Sequence, residues 1–150
     1  MIKPNLIEGN RSRISLDGPL MPKRQTINDS YARHLDRFNW THFATFTTKN
    51  ELGIKAARRL AETIGSKIHC HMLQSKLKMF WMAEAFSFRD GYHLHCLLYC
   101  PRPGDAEQLK KWSEKSIGTC RILPKKGRAS DYVVKHIHKA HSDYDLIQAP

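Results

Sequence analysis

Met79-Phe80-Trp81-Met82-Ala83-Glu84-Ala85-Phe86-Ser87-Phe88-Arg89-Asp90-Gly91-Tyr92-His93-Leu94-His95-Cys96-Leu97-Leu98-Tyr99 is the stretch from which the fold can be worked out. Two apolar runs flank Asp90-Gly91, and Asp-Gly between strand-like runs is a strong hairpin signal. Successive strand residues point to opposite faces, so His93 and His95 share one face while Leu94, Cys96 and Leu98 share the other. Their backbones stand roughly 7 Å apart on that face, close enough for both imidazoles to reach one metal ion. Imidazoles in an apolar strand are costly unless their ring nitrogens find partners. A two-residue turn at Asp90-Gly91 pairs Arg89 with Tyr92 and puts Phe86 opposite His95. Glu84, an acid in an otherwise apolar run, then falls on the histidine face, diagonal to His95.

Outward from the hairpin, Trp40 to Thr48 is rich in aromatic and β-branched residues and reads as a strand. From Glu51 the period changes: Leu52, Ala56, Leu60 and Ile64 recur at helical steps, with a break at Gly65-Ser66 and continuation towards Leu77. Thr26 to about Arg37 predicts a short helix capped by Thr26. Pro103-Gly104-Asp105 introduces a helix through Trp112 towards Ser116, and Thr119 to Leu123 form a fourth strand. Ser130 can cap a last helix from Asp131 to about Ala140. The order βαββαβ plus a terminal helix predicts an α+β fold of the ferredoxin-like split-βαβ kind, an antiparallel sheet with helices on one face. The expected organisation is a basic N-terminal arm over 1–38, including the short helix, and one domain over 39–150.

The chain has 150 residues and a formal charge of +11, from 25 Lys and Arg against 14 Asp and Glu. Such an excess favours a polyanionic partner, nucleic acid before membrane. No stretch approaches the roughly 20 apolar residues of a spanning helix, and the N-terminus lacks the apolar core of a signal peptide. A cytoplasmic setting is expected, with Cys70, Cys96, Cys100 and Cys120 as free thiols. Lys125, Lys126 and Arg128 in the turn after the fourth strand, with Arg89 and Lys139, are the candidate nucleic-acid contacts.

In the terminal helix, Tyr132, Lys135, His136 and Lys139 lie along one face, with Val133, Val134 and Ile137 turned towards the sheet. A phenol has a reference pKa of about 10 and needs cationic help to react as phenolate. Two imidazoles and a carboxylate form a three-ligand site for a divalent metal with positions open to water or a phosphate oxygen. Each feature also has a plainer reading: Glu84 and the histidines as solvated or hydrogen-bonded strand residues, and the helix as a basic surface helix whose tyrosine covers the core. His69-Cys70-His71 reads as incidental, because i and i+2 diverge on a helix.

Taken together and in order, these residues resemble the HUH nucleases, and within them the single-tyrosine rolling-circle replication initiators. Phe43-Ala44-Thr45-Phe46-Thr47 is similar to the family's first motif. His93-Leu94-His95 resembles the histidine–hydrophobe–histidine motif, and Tyr132-Val133-Val134-Lys135 the Tyr-x-x-Lys motif. The resemblance spans about residues 40–140. It implies that His93, His95 and Glu84 hold manganese or magnesium, that Tyr132 is the nucleophile, and that Lys135 positions phosphate or stabilises charge. It further implies a catalytic C-terminal helix that nicks and rejoins single-stranded DNA at the replication origin of a small plasmid or virus, through a 5′-phosphotyrosine. No second tyrosine follows on the helix face, and no phosphate-binding Gly-x-x-x-x-Gly-Lys loop occurs. Host helicase and polymerase are the expected partners. Two other readings stay open: a single-tyrosine transposase of the same superfamily, and a non-catalytic module binding single strands by stacking.

Overall fold

The computed structural model describes residues 24–71, 78–128, 131, 137 and 142–148. Its elements are α1 (Arg24–Leu35), β1 (His42–Thr48), α2 (Ile54–His71), β2 (Lys78–Ala85), β3 (Tyr92–Tyr99), α3 (Asp105–Ser116), β4 (Gly118–Pro124) and β5 (Asp143–Gln148). The strands form one open sheet in the order β4-β1-β3-β2-β5, with every neighbouring pair antiparallel. The fold is α+β. Among the described residues, no helix is long and apolar enough to cross a membrane.

Strand parity sorts the sheet into two sides. Ala44, Phe46, Met79, Trp81, Leu94, Cys96, Leu98 and Cys120 face α2 and α3, meeting Ala57, Ala61, Ile64 and Leu109. The buried stripe of α2 is Ala57, Ala61, Ile64 and Ile68 rather than the expected Leu52, Ala56, Leu60 and Ile64; Leu52 precedes the helix and Leu60 is only partly covered. Small alanines let the helix lie close to large rings, and Trp81 and Phe46 are among the largest fully buried side chains. Full burial of such a ring contributes about 1.5–3 kcal/mol. The expected break at Gly65-Ser66 does not occur; α2 is continuous to His71.

Three expectations are corrected. First, α2 and α3 share one face as expected, but the other face is also covered: Leu35 of α1, expected to belong to a separate arm, and Trp40 pack there against Phe80, Met82 and Leu97. The Trp40 indole N–H donates to the Leu35 carbonyl at 2.8 Å, fixing that cap. The cause is visible in β2, which is buried on both sides from Met79 to Ala83. A strand without alternation needs two covers.

Second, the β2–β3 connection is not a two-residue turn. Ala85 pairs with Tyr92 and Glu84 with His93, so residues 86–91 form the loop. It is closed by the Phe86 N–H donating to the Gly91 carbonyl at 3.0 Å, while the Tyr92 N–H donates to Leu52 at 2.9 Å. Gly91 has φ +96, and a β-carbon there would come within 3.1 Å of the Leu52 amide. Docking on the segment before α2 therefore overrides the local turn preference. Because the partner of Glu84 moves by an even number of residues, Glu84 keeps its face and gains a directly opposed histidine.

Third, a fifth strand follows the segment expected to be the last helix. Asp143–Gln148 pairs with the outer edge of β2. The Arg58 guanidinium of α2 holds it, donating to Asp143 from Nε at 2.8 Å and from a terminal nitrogen at 2.5 Å. The same guanidinium lies over the Trp81 ring at 5.3 Å.

Burial also sets the thiol chemistry. Cys96, Cys100 and Cys120 are free and buried. Loss of solvation pushes Cys100 up to about 12 and Cys120 up to about 11, with Cys96 well above the ordinary thiol value. The thiolate is the reacting form. Iodoacetamide at pH 8 is expected to leave these three cysteines unmodified in the folded chain and to alkylate all three in denaturant, read peptide by peptide by mass spectrometry. Rapid alkylation of Cys96 without denaturant would contradict this packing.

Candidate metal centre

The apolar cover of the histidine face ends at Met82 on β2 and Leu97 on β3. One step further along each strand, with strand parity maintained, come Glu84 and His95, then His93. Their side chains keep 13%, 11% and 20% of their exposure, in the order Glu84, His95, His93, so the cluster lies at the margin of the core and within reach of solvent. Thr45 of β1 pairs with His95, and Glu84 pairs with His93, so three adjacent strands meet at this point.

The side chains converge more tightly than their backbones require. Glu84 Oε2 lies 2.9 Å from His95 Nε2 and 3.5 Å from His93 Nε2, and the two Nε2 atoms are 2.9 Å apart. Three electron-rich atoms so close repel one another unless a proton or a cation lies among them. Aromatic packing sets the ring positions: Phe43 stacks on His95 at 5.8 Å between ring centroids, and Phe86 lies 4.6 Å from His93. On its far side, His95 Nδ1 meets Thr45 Oγ1 at 3.2 Å. A hydroxyl both donates and accepts, so Thr45 serves the tautomer that gives its Nε2 proton to Glu84 and the one that leaves Nε2 free for a metal.

The donor set fits a divalent ion. Donors about 2.1 Å from one ion stand about 3.0 Å apart at right angles and about 3.4 Å apart at tetrahedral angles, and the observed separations of 2.9 to 3.5 Å span that range. Among the described residues, Glu84, His93 and His95 are the group of three that could hold a metal. One carboxylate and two imidazoles grouped together leave the remaining coordination positions to exogenous oxygen. A partner hydrogen-bonded to a ligating histidine typically contributes 10–100-fold in metal affinity. Thr45→Val is accordingly expected to weaken manganese binding by about that factor, measured by calorimetry, with little change in fold. Unchanged affinity would remove Thr45 from the centre.

No protein-family model, curated protein or solved structure matches this chain. The reading of the site therefore rests on its own geometry.

The other expected site residues are placed as follows. Tyr132, Lys135 and Lys139 lie outside the described residues. Ile137, of the same segment, packs against the cluster of Phe80, Met82 and Leu97, on the histidine face. Lys125, Lys126 and Arg128 follow β4 at the His42 end of β1, where the Lys125 N–H donates to the Thr41 carbonyl. Arg128 stands 3.9 Å from Asp131. Arg89 lies in the β2–β3 loop with its guanidinium 3.9 Å from the Phe86 ring centre. The second His-x-His, residues 69–71, ends α2.

The sequence reading gave no role to Thr45, Phe43 or Phe86, and it missed Arg121, which pairs with Thr45 and so lies on the histidine face. The β1–β3 and β1–β4 registers reveal Phe43, Thr45 and Arg121, and the true length of the β2–β3 loop reveals Phe86, since parity along one strand says nothing about its partner. Among the described tyrosines, Tyr92 packs with the core on the α2 side and Tyr99 with the α1 side. Burial, aided by Tyr144 and Asp145, raises the Tyr31 phenol above its ordinary value. A phenol held protonated in this way is a poorer nucleophile.

Proposed function

We propose that this protein is a metal-dependent, single-tyrosine nuclease of the HUH kind, which nicks and rejoins single-stranded DNA and so starts rolling-circle replication of a small plasmid or virus. The observation that carries the reading is the convergence of Glu84 Oε2, His93 Nε2 and His95 Nε2 on the sheet face against which Ile137 packs. The strand order β4-β1-β3-β2, in which β3 fills the gap between strands joined by α2, supports the split-βαβ assignment within the α+β class. The charge of +11 supports a polyanionic substrate.

In this reading Glu84, His93 and His95 hold manganese or magnesium, which supplies Lewis-acid polarisation of the scissile phosphate. Phe43, Phe86 and Thr45 hold the imidazoles in place. The Tyr132 phenolate oxygen attacks phosphorus, a phosphotyrosine bond forms, and the P–O bond to the 3′ oxygen breaks. The leaving oxygen takes up a proton, and the freed 3′-hydroxyl primes synthesis or reverses the step. Lys135, three residues after Tyr132 in the sequence, would offer a cation to the phosphate. The roles of Tyr132 and Lys135 rest on the order of the three motifs along the chain. Strand separation and synthesis fall to partner helicase and polymerase.

The test is incubation with a pool of single-stranded DNA and manganese, and in parallel magnesium, followed by mass analysis of the protein and sequencing of captured ends. A 5′-phosphate adduct on the Tyr132 peptide, lost with chelator, is the expected result. An adduct that forms equally well in chelator, or no adduct with either metal, would overturn the reading.

A further inference from the structure

A base stacked on protein needs an exposed aromatic ring, and the tryptophans do not supply one. Trp40 and Trp81 are buried, and Trp112 packs beside the core. Phe88, in contrast, is fully exposed. It sits in the 86–91 loop, which meets the Glu84–His93–His95 cluster through one ring contact and carries Arg89 on that same ring. The Phe86 ring lies 4.6 Å from the His93 ring, and the Arg89 guanidinium lies 3.9 Å from the centre of Phe86. The loop is also closed at its base by the hydrogen bond from Phe86 to Gly91.

A large apolar ring in water, beside a cation whose described contact is with a ring rather than a carboxylate, matches the two halves of a nucleotide. Bases stack on exposed aromatic rings whatever their identity. Guanidinium groups bind phosphate strongly, and stacking on Phe86 limits the freedom Arg89 would lose on doing so. We infer that the β2–β3 loop is a nucleotide grip: Phe88 stacks the base of a nucleotide flanking the scissile phosphate, and Arg89 binds that nucleotide's phosphate. This inference rests on the single-strand reading of the site. It assigns Phe88 to substrate positioning, and it predicts tolerance of base identity at the gripped position.

The test uses the full chain in chelator, so that no strand is cut, and oligonucleotides carrying 2-aminopurine at successive positions. Binding is expected to quench the fluorophore at one or two adjacent positions. Phe88→Ala is expected to remove that quenching and to weaken binding about 10- to 100-fold, while Phe88→Trp preserves both. Arg89→Gln is expected to lower the slope of log affinity against log salt by about 0.7, the share of one phosphate contact on a single strand. The ring is fully in solvent, so the alanine variant is expected to fold, which circular dichroism checks. Equal binding and equal quenching by Phe88→Ala and the parent chain would overturn the grip and leave the nuclease reading standing. Failure of the parent chain to bind any single strand would overturn both.

Discussion

Replacing Tyr132 with Phe is expected to abolish covalent capture of single-stranded DNA while leaving strand binding largely intact. The substitution removes one oxygen, the atom that would form the bond to phosphorus, and keeps the ring. Stacking and phosphate contacts elsewhere are untouched, so affinity measured by fluorescence anisotropy should match that of the parent chain. A denaturing gel with an end-labelled oligonucleotide reads the adduct directly. Tyr31→Phe is the matched control, because the raised Tyr31 phenol makes that oxygen a poor nucleophile. If Tyr132→Phe still traps the strand and Tyr31→Phe does not, the nucleophile has been assigned to the wrong end of the chain.

His95→Ala is expected to eliminate specific manganese binding, a loss greater than the 10–100-fold cost of removing an outer partner such as Thr45. His95 is the hub of the cluster, with Nε2 2.9 Å from both Glu84 and His93, and Nδ1 on Thr45. An ion that binds only the folded form raises the melting temperature in proportion to the logarithm of its concentration. The parent chain should therefore melt later as manganese is added, and His95→Ala should not. Without metal the variant should melt close to the parent, because removing one imidazole relieves crowding among the three electron-rich atoms. An identical manganese-dependent shift in the variant would rule out a metal held by these residues.

Much of the architecture is readable in short-range pattern. The change from an aromatic and β-branched run at Trp40–Thr48 to helical spacing after Glu51 places β1 and α2. Gly104 and Gly118 bracket α3 closely, with the helix running Asp105–Ser116. The shared face of Glu84, His93 and His95 is legible too, because parity survives the wrong turn length. What stayed hidden depends on contacts distant in sequence. The loop register is set by Leu52, some forty residues from Gly91, and β5 is a polar-flanked segment that becomes a strand by pairing with β2 and binding Arg58. The second apolar face was present in Met79-Phe80-Trp81-Met82-Ala83, whose lack of alternation signals burial on both sides. At the site, the carboxylate and the imidazoles were readable, but the rings and the hydroxyl that orient them come from β1 and the 86–91 loop.

The alternation within β3 has a consequence for how this site can change. Leu94, Cys96 and Leu98 are buried against α2 and α3 while His93 and His95 face the other way. One residue inserted into or deleted from the strand reverses every side chain beyond that point, turning imidazoles into the core and leucines into water. Such a chain fails to fold before it can misplace its ligands. Single-residue insertions and deletions within β3 are thus eliminated with the fold itself, whereas the 86–91 loop can lengthen or shorten without turning either histidine. Variation in this protein should therefore accumulate in that loop, which sits beside the Glu84–His93–His95 cluster and carries Phe88 and Arg89.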